Sequence, residues 1–528
     1  MINKLLPHGS RRRKFVGRQM GRLQHSRSWQ FYRREYDGLR TEYYYNCSKK
    51  IIEATKNDPL ISIVVPCFNT PERYIYELED SIFAQGYDKW ELLLVDGSSN
   101  DARRQAIEQS SHRDIRIRYI PIKNMGIAEN TNVGIREAAG EYIAFLDHDD
   151  MLDPDALAEN VIAIRKNKPD VIYSDEDKVS EDSRSFHSPH YKPDFSQAML
   201  ECVNYITHFV VVKKTLVKKV GFIETGYDGA QDFNFLLRLS EETGSIFHIP
   251  KILYHWRESA NSTAADFDNK SHVRDAGVRA LDNHFKRLGI NAHAKPMKKT
   301  PGFYQTIFEL QEDNKRAIII AVPELTSKEL LYMKSCFEKH RDVIKQNITC
   351  VIAADKKDAR TIAMHFKTVL LITVPMQPLF MEDASISALF GRVEVGGYDA
   401  AAPKLISRGK ITNLGYVKTN TGFLPLFYGS DPAKPQYFGS PNWNRDVNAL
   451  DWGAVCARSD SIERYCNDSL ITEGRFVVLG QYEYLEFKGR EPEHSATIGV
   501  YYNPNLRTEM HPRLIEQQLI KYAVEEER

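Results

Sequence analysis

Between Leu60 and Lys178 five short apolar runs alternate with longer amphipathic stretches, and this alternation limits the fold more than any other feature. "LISIVVP" stops at Pro66, and Pro71 opens "PERYIYELEDSIFAQG", in which Ile75, Leu78 and Ile82 recur at helical spacing. "WELLLVD" then ends on Asp96, "IRIRYIP" follows, "YIAFLD" ends on Asp147 and "DVIYSDED" carries Asp175. Short strands separated by helices return by right-handed crossovers and build a mostly parallel sheet, so the fold class is α/β. Such sheets bind ligands outside the carboxyl ends of their strands. Asp96, Asp147 and Asp175 therefore fall on the binding edge.

The stretch "EYIAFLDHDDMLDPDAL" concentrates the chemistry. Its apolar run leads into Asp147, Asp149 and Asp150, whose charges at about 5 Å repel by roughly 3 kcal/mol at an effective dielectric near 20. A single aspartate after a strand is ordinarily a cap or turn residue, and Asp153 before Pro154 reads that way. Three acids in four residues exceed what capping needs. A divalent cation turns their repulsion into attraction, and Mg²⁺ or Mn²⁺ suits oxygen ligands. Mg²⁺ is commonly shared between one or two carboxylates and substrate phosphates, which points to a phosphate-bearing substrate. The chain has no GxxxxGK[ST] loop to cradle phosphates with backbone amides.

At 528 residues the chain is too long for one ordinary core, and two domains plus extensions are expected. The 71 basic and 71 acidic residues cancel, which argues against nucleic acid as a partner. No apolar run is long enough to span a bilayer, and arginines occupy the place of a signal-peptide core. The seven cysteines form no CxxC pair and read as thiols of a reducing compartment, so a cytoplasmic location is expected. Charge is uneven, however: residues 1–58 carry a surplus of about nine positive charges, led by "SRRRKFVGR", and Trp29, Tyr32, Tyr36, Leu39 and Tyr43 recur at helical spacing. This arm reads either as a helix docked on the body or as a basic segment that touches an anionic membrane surface.

Residues from about Leu60 to Ala264 resemble an inverting family 2 glycosyltransferase of the GT-A fold. The likeness rests on ordered pieces: "ISIVVPCFNTPERYIYELEDSIFAQGYDKWELLLVDGSSND", "NMGIAENTNVGIREAAGEYIAFLDHDDMLDPDAL", "DVIYSDEDK", "GAQDFNFLLRLSEETGSIFHIPKILYHWR" and "NSTA". Among family members the chain is most similar to bacterial, rhamnosyltransferase-like enzymes of O-antigen, capsule and wall polysaccharide synthesis. The resemblance implies a nucleotide-diphosphate sugar donor, a glycan or lipid-linked acceptor, and Mn²⁺ or Mg²⁺ as cofactor. Pro66, Asn69 and Asp96 would then frame the base and ribose, and Asn124, Gly126 and Asn132 would line the same pocket. Asp147 and Asp149 would form the DxD element on the metal, with His148 between them on the donor side. Asp232, in "GAQDF", would be the catalytic base, and His255, in "LYHWR", would complete the metal shell. The chain departs from the family at Asp96-Gly97, where a pair of acids is usual, and at Thr131, where an arginine is common.

The chemistry of these residue types agrees with that assignment. A sugar hydroxyl attacks well only when a carboxylate takes its proton, and a metal stabilises a departing diphosphate. Standing alone, Asp232 would read as an acid at a helix N-terminus and His255 as a core histidine beside Trp256. Lys178, Lys192 and Arg257 read equally as phosphate contacts or as solvated charges.

The expected organisation is an arm over 1–58, a catalytic Rossmann-like GT-A domain over 59–265, a helical bridge over 266–300 and a degenerate GT-A-like domain over 301–528. The last follows from an internal echo: "RAIIIAVP", "NITCVIAA" and "TVLLITV" repeat the opening strands. In that comparison Pro375, Gln377 and Pro378 replace the three acids, and Tyr482, next to Glu483, faces Asp232. Two rival readings stand beside the transferase, a sugar nucleotidyltransferase and an inactive polysaccharide-binding protein.

Overall fold

The computed structural model describes residues 51–258, 271–297, 300, 302–378, 385–419, 422–429, 431–432, 442–465 and 470–486. The basic arm up to residue 50, "NSTA", Cys47 and Cys466 lie outside them.

The first module is one nine-stranded sheet. Its strands are β1 (Ile61–Cys67), β2 (Trp90–Asp96), β3 (Ile117–Pro121), β4 (Tyr142–Phe145), β5 (Met151–Leu152), β6 (Val171–Val179), β7 (Phe186–His190), β8 (Val210–Lys213) and β9 (Ile246–Arg257). They lie in the order β3-β2-β1-β4-β8-β6-β9-β5, with β7 on β6. β1 to β4 are mutually parallel and β9 runs parallel to β6, whereas β5, β7 and β8 pair antiparallel. This is the mixed, mostly parallel sheet of the GT-A class.

Alternation along the strands assigns the two faces. Ile63, Val65, Leu92 and Leu94 pack with Ile75, Leu78 and Ile82 of α1 (Glu72–Phe83), Ile107 of α2 (Asp101–Ser111) and Val161 of α4 (Ala156–Asn167). Val64, Leu93 and Ile143 face the opposite way, onto Ile135 of α3 (Ile127–Glu137), Leu216 of α6 (Lys214–Val220) and Phe233, Leu236 and Leu237 of α7 (Gln231–Glu242). Between β7 and β8 only the short α5 (Gln197–Leu200) is regular.

The bridge is a helix, α8 (Ser271–Arg287), followed by a hairpin of β10 (Ala292–Pro296) and β11 (Tyr304–Phe308) that the sequence did not announce. On α8, Gly277 gives way to Tyr304: a Cβ there would lie 1.8 Å from its phenol oxygen.

The second module contains β12 (Arg316–Ile320), α9 (Ser327–Glu338), α10 (Arg341–Lys345), β13 (Thr349–Ile352), α11 (Lys356–Ala363), β14 (Thr368–Ile372), β15 (Met376–Pro378) and α12 (Ser385–Glu394). It continues through β16 (Ala400–Ser407), β17 (Lys410–Asn413), β18 (Tyr416–Thr419), β19 (Gly422–Pro425), β20 (Asn444–Val447), β21 (Leu450–Asp451), β22 (Ala454–Arg458), α13 (Ser459–Tyr465), β23 (Leu470–Ile471) and β24 (Phe476–Glu486). Its main sheet runs β13-β12-β14-β22-β16-β24-β15, with β17 on β16 and β20 on β24. Every pairing except that of β20 has a partner of the same direction in the first sheet. Even a bulge recurs: register slips between Ser174 and Asp175 on β6, and between Pro403 and Lys404 on β16. The second sheet repeats the first.

The repeat corrects two alignments. Phe145 pairs with Val210 and Leu371 with Val455, and Met151 and Met376 open equivalent strands. The segment that matches Asp147 to Asp150 is therefore Thr373, Val374 and Pro375, not Pro375, Gln377 and Pro378. Tyr482 lies on β24, the counterpart of β9, so it does not stand in the place of Asp232. Short apolar repeats slide past one another by a residue or two in sequence, and only the ladder fixes them.

Candidate active site

The β4–β5 loop carries the acids, and β9 holds it from beneath. Asp150 is fully buried: Tyr254 donates its hydroxyl to one carboxylate oxygen, and the Arg257 amide donates to the other at 2.7 Å. Burial, with the charges of Asp149 and Asp147, pushes the Asp150 carboxyl well above the usual range. The guanidinium of Arg257, also buried, donates to the Asp149 carbonyl at 2.5 Å, pairs with Glu77 at 2.9 Å and lies over the Tyr74 ring. Arg257 is thus a clamp under the loop and not a surface phosphate contact. Asp150 is drawn into the core, which leaves Asp147 and Asp149 at the mouth, half-buried.

His208 closes the site from the side. Its Nε2 lies 3.6 Å from an Asp147 oxygen, its Nδ1 3.2 Å from Glu176, and its ring stacks on Tyr254 at 4.8 Å. Burial alone would lower its pKa, but the bond and charge of Glu176, with Asp147 and Asp150, raise it to about 9. Burial would likewise raise Glu176, yet Lys192, His190 and His208 hold it well below the usual range. Lys192 is buried, with its ammonium on Glu176, the Ile206 carbonyl (3.1 Å) and the His208 carbonyl. It serves the loop and not a ligand.

Asp232 stands in the first turn of α7. One of its oxygens accepts from the Phe233 amide at 2.8 Å and the other from Asn204 Nδ2 at 2.9 Å. Its carboxyl is raised, chiefly by burial; the Phe233 amide and His208 oppose the shift and Asp147 adds to it. Those last two influences place Asp232 in the same electrostatic neighbourhood as Asp147. A raised, anchored carboxylate suits proton abstraction.

The expected nucleotide residues gather at the ends of β1 to β3. Asn69, at φ +50°, accepts from the amides of Ser99 (3.0 Å) and Asn100 (3.1 Å) and so ties the β1–α1 loop to the β2–α2 loop. Asp96 is fully buried and accepts from Ser98 (2.9 Å) and the Tyr119 hydroxyl (3.1 Å). Asn124 accepts from Gly126 and Asn130, both at 3.0 Å, and Gly126, at φ +90°, turns the chain into α3. Pro66 is half-buried on β1. Only β1 separates β2 from β4, so Asp96 and Asp147 lie about 10 Å apart across the sheet. Phe68, Met125 and Ile127, exposed large apolar side chains beside these loops, form a rim that residue types in the sequence did not single out.

Two assignments do not fit. Asn132 is spent internally: its amide group brackets the Ile223 backbone (2.8 and 2.9 Å) and reaches Glu129. His255 is fully buried, with Nδ1 2.5 Å from Asp177, Nε2 3.7 Å from Asp153 and the ring against Phe186. Along β9 it alternates with Tyr254 and Trp256, the two residues that meet His208. It therefore faces the opposite side of the sheet from Asp147. His148 lies between Asp147 and Asp149 with Nδ1 buried and without a hydrogen-bond partner. His208 was not foreseen; a histidine two residues before an apolar strand has no spacing signature.

Residues 62–225 match the family model described as glycosyl transferase family 2. The first module is a family 2 glycosyltransferase domain. The match ends before Asp232, whose placement therefore rests on the geometry above. An uncharacterised protein of Sinorhizobium fredii is 36% identical over 51% of this chain and 30% of its own length. The O-antigen biosynthesis protein RfbC of Myxococcus xanthus is 35% identical over 50% of this chain and 20% of its own. Chondroitin synthase of Escherichia coli is 28% identical over 48% of this chain and 36% of its own. The chain thus spans about a fifth to a third of the length of these curated relatives. A structure of S. aureus TarS aligns over 43% of this chain and 72% of its own at 19% identity, with a TM-score of 0.32. That likeness is too slight to bear on the site.

Proposed function

We propose that the chain is a metal-dependent, inverting glycosyltransferase that moves a sugar from a nucleotide-diphosphate donor to a growing bacterial surface polysaccharide or lipid-linked glycan. What supports this reading is the pair Asp147 and Asp149 in the loop after β4, together with Asp232, whose carboxyl feels the charges of Asp147 and of His208, the histidine that reaches Asp147. The names of the relatives from Myxococcus and Escherichia support polysaccharide synthesis as the setting.

Among the described residues no group of three or more His, Cys, Asp or Glu side chains could hold a metal ion unaided. Two half-buried carboxylates nevertheless suit a hard cation that arrives with phosphate oxygens of its own. Asp147 and Asp149 would hold Mn²⁺ or Mg²⁺, which when bound neutralises charge on the leaving diphosphate. Asn69 and Asp96 would orient the nucleoside, and His148 would lie on the donor side. Asp232 would take the proton of the acceptor hydroxyl as that oxygen attacks the sugar from the face opposite the diphosphate, which inverts the anomeric centre. Asn204 fixes the carboxylate for that task.

The second module reads as a degenerate copy without a donor site. Its counterparts of Asp147 to Asp150, Glu176 and His208 are Thr373, Val374 and Pro375, Leu405 and Gly453, none of them ionisable. No described helix is long and apolar enough to cross a membrane. A peripheral place on the cytoplasmic membrane surface would rest on Arg11, Arg12, Arg13 and Lys14 of the arm, each worth about 1 kcal/mol near anionic lipid.

The test is to screen the purified chain with UDP-, GDP- and dTDP-sugars for Mn²⁺-dependent binding and transfer, reading the anomeric configuration of the product by NMR. Full transfer in excess EDTA would overturn the reading, and so would a retained configuration. An inactive glycan-binding protein would bind oligosaccharide and neither hydrolyse nor transfer any donor.

A further inference from the structure

The segment joining β7 to β8 supplies two side chains that meet the proposed working residues. Asn204 holds Asp232, and His208 reaches Asp147 and Glu176. Apart from the single turn of α5 it is irregular, and a connection of this length needs outside fixation to present side chains reproducibly. Lys192 secures its far end through the carbonyls of Ile206 and His208.

The near end is secured by the second module. Asp446, on β20, accepts from the Ser196 hydroxyl at 2.6 Å and the Ala198 amide at 3.1 Å, and returns its own amide to the Ser196 hydroxyl at 3.0 Å. Its other oxygen accepts from the Tyr398 hydroxyl at 2.9 Å. Ser196 caps α5 by accepting from Met199, and its amide donates to Tyr205, the neighbour of Asn204, at 2.7 Å. Further contacts follow the same seam. Arg392 of α12 pairs with Glu201, and the Tyr304 amide reaches the Cys202 carbonyl at 2.8 Å. Trp443 stands edge-on to His190, which bonds Glu176. β20 is also the one strand of the second main sheet that has no counterpart in the first. The part of the copy that is new is the part that grips the site loop.

We propose that the second module serves as a positioning body for the first, and that Asp446 is the positioning residue through which β20 sets residues 196–209 so that Asn204 and His208 meet Asp232 and Asp147. Asp446 touches no reacting group. The proposal rests on the reading of Asp232 and Asp147 as working residues given above, and its test is arranged to fail separately from that reading.

Asp446→Asn keeps the side chain's shape and removes its charge, and Ser196→Ala removes the hydroxyl partner from the other module. Hydrogen exchange by mass spectrometry on the full chain should show residues 196–209 exchanging roughly tenfold faster or more in either variant, while β1 to β4 keep the parent's protection. Binding of Mn²⁺ with UDP or GDP, whichever the parent takes, should stay within twofold. Turnover, measured with the donor found in the screen, should fall roughly tenfold or more, and the two changes should be strongly non-additive in the double variant. Parent-like exchange across 196–209 in both variants overturns the proposal, as does parent turnover with a loosened segment. If the parent transfers no sugar at all, the proposed function fails, while exchange still decides whether Asp446 holds the segment. Should Asp446→Asn not fold, Ser196→Ala alone carries the test.

Discussion

Replacing Asp232 with Asn should separate activity from stability in opposite directions. The new side chain can still accept from the Phe233 amide through its oxygen. Its NH₂ would face Asn204, whose Oδ1 is buried and without a hydrogen-bond partner, so a half-turn of the Asn204 amide restores the lost bond. The net hydrogen-bond change is therefore within about 1 kcal/mol. The charge matters more. A carboxyl whose folded-state pKa is raised leaves stability intact below its unfolded value and lowers it as pH rises through the folded value, by about 1.4 kcal/mol per pH unit of displacement. The Asn variant escapes that loss. Its Tm should equal the parent's near pH 4 and match or exceed it at pH 7, whereas turnover should fall by at least roughly two orders of magnitude, about 2.7 kcal/mol in barrier. Thermal scans from pH 4 to 8 and initial rates under saturating donor measure both quantities. A variant that keeps turnover within tenfold would show that another group is the base. A variant several degrees less stable at pH 7 would show that the Asp232 charge is structural.

Four further outcomes follow from the same geometry. Asp149→Ala should abolish the Mn²⁺ dependence of nucleotide binding by calorimetry, while the variant stays folded because the backbone carbonyl that Arg257 grips is kept. His255→Ala should leave Mn²⁺-nucleotide affinity within threefold while lowering stability by about 3–5 kcal/mol, since it strips a buried partner from Asp177; a large loss of metal affinity would return His255 to the site. At the module seam burial would raise Glu201, but Arg392 and His284 hold it at about 2, so its stabilisation is complete above pH 4.5 and is lost as pH falls from there towards 2. The stability gap between the parent and Arg392→Met should therefore narrow across that window in denaturant titrations. Calorimetry of the full chain should find one nucleotide site; two would show that the second module retains a donor pocket despite Thr373, Val374 and Pro375.

Much of the first module was legible because its signals are local. The strand runs from "LISIVVP" to "DVIYSDED" became β1, β2, β3, β4 and β6, and the helical face of Ile75, Leu78 and Ile82 is buried as its spacing required. Asp96 and Asp147 fell at strand ends because period and length fix where a strand stops, whereas Asp175 lies in the middle of β6, buried against His248 and the Lys192 amide. What a side chain does after the chain has folded is less local. Asp149 and Asp150 are adjacent and chemically identical, yet one faces the mouth and the other is buried against Tyr254 and Arg257, more than a hundred residues away. His255 sits in a recognisable motif, but the pleat of β9 turns it from Asp147 towards Asp177. His208, with no motif, reaches Asp147 because β8 is laid antiparallel beside β4.

The second module shows how far a repeat in sequence can be trusted. Alternating apolar strands identified the duplication correctly, yet they could not set its register, because Ile, Leu and Val match equally well after a shift of two. Only paired positions do so: Lys213 and Arg458 each close a strand just before a helix, and from there Asp147 falls on Thr373 and Glu176 on Leu405. A cluster of carboxylates at a strand end is costly unless a cation or burial compensates each charge. A copy that binds no donor has no such compensation, so uncharged residues at those positions favour its stability. The constraint that remains on the copy is at its seam with the first module, where Asp446, Arg392 and Trp443 meet the loop that carries Asn204 and His208.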